Sequence, residues 1–158
     1  MSLFKNKHIL VAGLIAPLMA VGAYYAVDLW VGEKPHAAEQ GRSYPLVEMP
    51  NCRYDSGACG LKNNDFRLDI VADWLSDTRL SLQLTSAFPL EGVKLAMVTA
   101  DTGETPPMEM QPASDDGLGW ILEVDSRDPE RDRLRLVAAS TGSLYFGDAS
   151  MKFTLRNR

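Results

Sequence analysis

Cys52 and Cys59 lie in the stretch NCRYDSGACG and are the only thiols in the chain of 158 residues. Such a pair can form a disulfide, hold a soft metal or exchange electrons. Redox work favours the C-x-x-C spacing that lowers a thiol's pKa, whereas six residues intervene here. A metal site would want further Cys or His ligands close by. In an oxidising compartment the default is a structural bridge. The intervening RYDSGA contains Asp55, Ser56 and Gly57, turn formers that let the chain double back and bring the sulfurs together.

Other reactive types are sparse. Of the two histidines, His8 precedes a long apolar segment and His36 sits in a polar stretch, which leaves a Ser-His-Asp or Cys-His site without a base. The H-E-x-x-H, G-x-S-x-G and G-x-x-x-x-G-K-[ST] patterns are absent. The adjacent Asp115 and Asp116 of SDDG read as a solvated turn rather than an acid-base pair. A non-enzymatic role is therefore expected. Met97, Met108 and Met110 offer thioethers, soft ligands that select copper(I), and Met108 and Met110 share one strand face by their spacing. Their competing role is adaptable packing. The mixed-sign run SRDPERDRLR, Ser126 to Arg135, reads as a solvated connection whose charges neutralise one another.

These residues need a scaffold and a compartment. Ile9 to Val27 form an apolar run of 19 residues without a charge, enough at about 1.5 Å per residue to cross a hydrocarbon layer of roughly 30 Å. Lys5 and Lys7 precede it while Asp28 and Glu33 follow, so the positive-inside rule places residues 1–8 in the cytoplasm, a transmembrane signal anchor over 9–31 and the remainder outside. Tyr24, Tyr25 and Trp30 fall where that helix would leave the bilayer, the level that amphipathic rings favour. The alternative is a signal peptide cleaved after the VGA at 21–23, although the apolar run continues beyond it. Residues 32–42, GEKPHAAEQGR, read as a polar tether, and 43–158 as the exported domain. From residue 32 onward, 14 basic residues (16 less Lys5 and Lys7) face 20 acidic ones (21 less Asp28), a net charge of −6 that disfavours nucleic acid as a partner.

Beyond residue 43 the apolar residues recur with period two, the signature of strands with one face on a core. The runs are FRLDIVA, RLSLQLTS, VKLAMVTA, GWILEVD, RLRLVAAS and MKFTLRN, with weaker ones at Tyr44 to Met49, Met108 to Gln111 and Ser143 to Phe146. Turn signals such as DTGE, SDDG and STGS separate them. The expected fold is all-β, an immunoglobulin-like antiparallel β-sandwich of about seven to nine strands preceded by one transmembrane helix. Val71, Ala96, Val98, Ile121 and Val137 fall on the face opposite the core set and are candidates for area covered by a partner.

The order of one span, a tether and an all-β exported domain resembles small membrane-anchored accessory proteins of bacterial envelopes. The stretch PPMEMQPASDDGLGWILEV, Pro106 to Val124, is similar to the methionine-bearing strand, acidic turn and Gly-x-Trp strand of FixH-like and YtkA-like domains. The NCRY…C loop and the DRLRLVA strand resemble uncharacterised single-pass periplasmic proteins of Gram-negative bacteria. The resemblance implies a bacterial inner-membrane protein whose periplasmic domain acts as a non-enzymatic accessory subunit of an envelope complex, without a cofactor. Its alternative implication is a copper(I)-handling domain assisting a respiratory oxidase through Met97, Met108 and Met110.

Overall fold

The computed structural model describes residues 7–31, 39 and 41–157, with side chains at 11–27, 39 and 41–156. Residues 1–6, most of the tether including His36, and the side chains of His8 and Trp30 lie outside the described residues. The chain divides into two compact units, Met1–His36 and Ala37–Arg158.

The first unit contains helix α1, Lys7–Val31, 25 residues with Pro17 inside it. It is apolar on every side, and every described side chain from Val11 to Val27 is exposed. Tyr24 and Tyr25 meet edge to face at 5.8 Å. Among the described residues no helix is long and apolar enough to cross a membrane.

The second unit is built from strands β1 (Ser43–Pro45), β2 (Val47–Glu48), β3 (Ala58–Asn63), β4 (Phe66–Trp74), β5 (Arg79–Ser86) and β6 (Gly92–Thr99). It continues with β7 (Gly103–Glu104), β8 (Met108–Glu109), β9 (Gln111–Pro112), β10 (Gly119–Asp125), β11 (Arg133–Ser140) and β12 (Ser143–Ser150). Two sheets result. Sheet I has the order β1-β12-β11-β6-β7, with β8 also on β6; sheet II has the order β2-β3-β4-β5-β10-β9. Every pairing is antiparallel except that of β1 with β12. The inward residues of both sheets, among them Leu68, Ile70, Leu82, Leu84, Leu95, Leu134 and Leu136, close one apolar core together with Phe153 of the C-terminal segment, as two stacked half-apolar sheets must. This is a β-sandwich.

Twelve strands exceed the seven to nine expected because five of them have only two or three residues. The chain first passes between the sheets right after β1: β1 belongs to sheet I and β2 to sheet II, with buried Leu46 between them. Leu46 N donates to the Phe146 carbonyl at 2.7 Å. The crossing passes so close to β12 that a Cβ on Gly147 would sit 2.9 Å from Leu46 Cβ and 3.1 Å from its carbonyl oxygen, so only glycine fits. Thr141 and Gly142, at φ of 50° and 73°, make the two-residue turn joining β11 to β12.

One expectation is corrected. MKFTLRN is not a strand: β12 ends at Ser150 and Lys152–Asn157 form a 3₁₀ helix. Met151, Phe153 and Thr154 point inward, a spacing that one tight turn satisfies and strict alternation does not. Thr154 N and Oγ1 both donate to the Met151 carbonyl. The domain's hydrogen bonding also begins before residue 43, since Leu144 N donates to the Arg42 carbonyl and Ser143 Oγ to the Glu39 carbonyl.

Candidate functional site

Cys52, on a 3₁₀ turn at Pro50–Arg53, is bonded to Cys59, the second residue of β3, with their Cα atoms 4.2 Å apart. Both are wholly buried. The loop they close is stitched internally, with Gly60 N donating to Asn51 Oδ1 at 3.2 Å and Ser56 Oγ to the Asn51 carbonyl at 2.7 Å. It also receives the C-terminal 3₁₀ helix: Gly57 N donates to the Phe153 carbonyl at 2.9 Å, and Arg156 Nη1 to the Ser56 carbonyl at 3.3 Å. Trp74 Nε1 of β4 donates to the Thr154 carbonyl at 2.9 Å. The bridge is therefore a structural staple joining the turn, β3 and the C-terminal segment.

The open strand edges are guarded by charge. β9 covers only Trp120 and Ile121 of β10, and beyond them β10 carries Glu123 and Asp125. β1 covers β12 only from Leu144 to Phe146. Further along, Ser150 N donates 2.7 Å to Glu48 Oε1, so a side-chain carboxylate stands where another strand would bond. That carboxylate is 8% exposed, and its Oε2 accepts from Arg53 Nε at 3.1 Å. Edges ended in this way resist strand addition.

The outward face of sheet I is different. Cross-strand partners set Pro45, Phe146, Val137 and Lys94 in one row and Asp148, Arg135 and Ala96 in the next. Leu144, Phe146 and Val137 are 45%, 44% and 41% exposed, so the strip is apolar and open. Phe146 and Val137 of the strip line a groove of about 390 Å³ together with Pro45, Glu104 and Pro107. Arg135 Nη1 meets Glu104 Oε2 at 2.6 Å and Arg133 Nη2 meets Asp148 Oδ2 at 2.7 Å across its rim. A polar cleft of about 360 Å³ lies at the same edge, bordered by Arg53, Arg131, Arg133 and Lys152 together with Glu48 and Ser150.

Of the residues marked on the outward faces, Ala96, Val98 and Val137 fall on sheet I, whereas Val71 and Ile121 lie across Gln83 on sheet II. Leu144 and Phe146, which complete the apolar strip, were missed because β12 was legible only to Phe146 and its inward Tyr145 blurred the alternation. Met97 and Met110 are 1% and 2% exposed within the core, and Met108, opposite Leu95, is half-buried against it. Among the described residues no cluster of three His, Cys, Asp or Glu side chains could hold a metal ion.

The SRDPERDRLR run is folded rather than merely solvated. Ser126 and Asp132 are 1% and 2% exposed, and Ser126 Oγ donates to Asp132 Oδ2 at 2.7 Å. Arg131 holds the Asp128 carboxyl below its ordinary range. In SDDG, Ser114 Oγ and then Leu118 N donate to Asp116, which lowers its pKa, as expected of a turn carboxylate.

No family model matches the chain, and no curated protein does so. Among solved structures the chain is similar to one titled "Crystal structure of Br derivative BhCBM56", with a TM-score of 0.42 and 8% identity over 55% of this chain and 89% of that one. A likeness of that size carries no argument about this protein.

Proposed function

We propose that this is a membrane-anchored periplasmic accessory protein that works by contact, its immunoglobulin-like sandwich docking on a partner in a bacterial envelope complex without catalysing a reaction. The observation that carries the reading is the open apolar strip of Leu144, Phe146 and Val137 on sheet I, in a sandwich whose strand edges are otherwise blunted. Exposed apolar area of this kind marks interaction surfaces. The apolar helix α1, with its described side chains all exposed, supports an anchor that buries them in lipid. The buried disulfide supports an oxidising compartment.

Chemical crosslinking in intact membranes, followed by identification of the attached protein and of the linked residues, tests the reading. It expects adducts between an envelope protein and residues on the outward face of sheet I. Adducts spread evenly over the domain, or none, would overturn it.

A further inference from the structure

We infer that Met49 is an oxidation site, a thioether latch over the Cys52–Cys59 loop whose conversion to the sulfoxide opens the bridge to thiol exchange. The methionines of the strand domain divide by access. Met97, Met110 and Met151 are 1%, 2% and 0% exposed, whereas Met49 and Met108 are partly exposed. Met108 packs against the core. Met49 instead fills the space that a side chain at Gly60 would take: a Cβ there would stand 2.6 Å from Met49 Sδ and 3.3 Å from Asp69 Oδ1. Gly60 and Asp69 are cross-strand partners, and Leu68 and Ile70 on either side of Asp69 are core residues, so the sulfur lies on the outward face of sheet II.

That position couples the thioether to the bridge. Met49 N donates to the Gly60 carbonyl at 2.9 Å and Cys52 N to the Met49 carbonyl at 3.1 Å, so Met49 begins the turn that carries Cys52. Gly60 follows Cys59 directly in β3, and Cys52 Sγ lies 3.3 Å from the Gly60 carbonyl oxygen. Hydrogen peroxide transfers one oxygen to the thioether: the O–O bond breaks, an S–O bond forms, the sulfur gives up two electrons and water leaves. A dithiol reverses the step, becoming a disulfide as the oxygen departs in water. The sulfoxide is larger and polar, and its seat between Gly60 and Asp69 has no room to spare. Asp69 already accepts from Arg67 Nε and Nη2, each at 2.8 Å. The oxidised side chain therefore leaves that seat, and the Pro50–Arg53 turn loosens over the bridge.

The test exposes the full chain in detergent to hydrogen peroxide and maps each methionine by peptide mass spectrometry. Once the peroxide is removed, the rate at which dithiothreitol reduces the bridge is followed. Met49→Leu, which keeps the volume and loses the sulfur, is treated alongside. The expected result is oxidation of Met49 while Met97, Met110 and Met151 stay reduced. Bridge reduction should quicken about tenfold, in step with the fraction of Met49 sulfoxide. Peroxide should leave the bridge of Met49→Leu as slow as before, even as Met19 and Met108 oxidise. A Met49 that oxidises no faster than Met97 or Met110 overturns the site. Oxidation of Met49 without a change in bridge reduction, or equal quickening in Met49→Leu, overturns the latch. The wild-type time course relates the two events within one sample, so it decides the matter even where the variant fails to fold.

Discussion

Replacing Cys52 and Cys59 together by alanine releases a closed loop of eight residues, 52 to 59. The chain-entropy model assigns such a loop about 2.5 kcal/mol at 25 °C. Both side chains are wholly buried, so lost sulfur packing adds roughly another 1 kcal/mol. For a unit of this size about 4 °C accompanies each kcal/mol, which predicts a fall in Tm of roughly 10–15 °C. Thermal unfolding of residues 37–158, wild type against the double variant, reads this directly. The loss has a direction as well as a size. The staple receives the backbone of Phe153 through Gly57 N and the side chain of Arg156 through the Ser56 carbonyl, so amide exchange across 151–157 should accelerate before that of β4 or β11. A drop below about 3 °C, or uniform exchange, would refute the claim that the bridge holds the C-terminal segment.

Gly147→Ala should cost about 1–3 kcal/mol by driving a methyl into the backbone at Leu46, whereas Gly92→Ala, with open space around its Cβ position, should stay within about 0.5 kcal/mol; chemical denaturation of both variants compares them. Asp116, whose pKa Ser114 and Leu118 lower from 3.8, contributes stability that is fully present above 3.8 and lost as pH falls through its lower folded value. An NMR titration in which Asp116 protonated at or above the ordinary value would contradict that assignment. Copper(I) titrated into residues 37–158 should show no saturable binding, because Met97 and Met110 are enclosed and both thiols are spent in the bridge. Saturable binding abolished by Met108→Ala and Met110→Ala would establish the copper reading instead.

Period-two alternation located the strands that have one wet face: β4, β5, β6, β10 and β11 all lie where FRLDIVA, RLSLQLTS, VKLAMVTA, GWILEVD and RLRLVAAS suggest. It failed where burial does not alternate. β3 reads buried through Cys59, Gly60 and Leu61 in succession, because the bridge and the Pro50–Arg53 turn cover its other side, and no strand was expected there. Pairing was beyond the sequence, since a strand's pattern says which face is apolar and nothing about its neighbour. Hence the passage of β1 and β2 between sheets, which shapes the groove beside Gly147, had no sequence signal beyond that glycine. Burial of Asp132 was equally hidden, because its partner Ser126 lies at the far end of a turn that composition alone marks as polar. The bridge was legible, since two cysteines around a turn leave few alternatives.

Export of the strand domain is the premise beneath both the staple and the docking face. Trapping thiols with a membrane-permeant alkylating reagent in intact cells tests it most directly. The account predicts that Cys52 and Cys59 take up no reagent until the protein is denatured and reduced. Thiols that take up reagent on denaturation without reductant would place the domain in a reducing compartment and contradict the account.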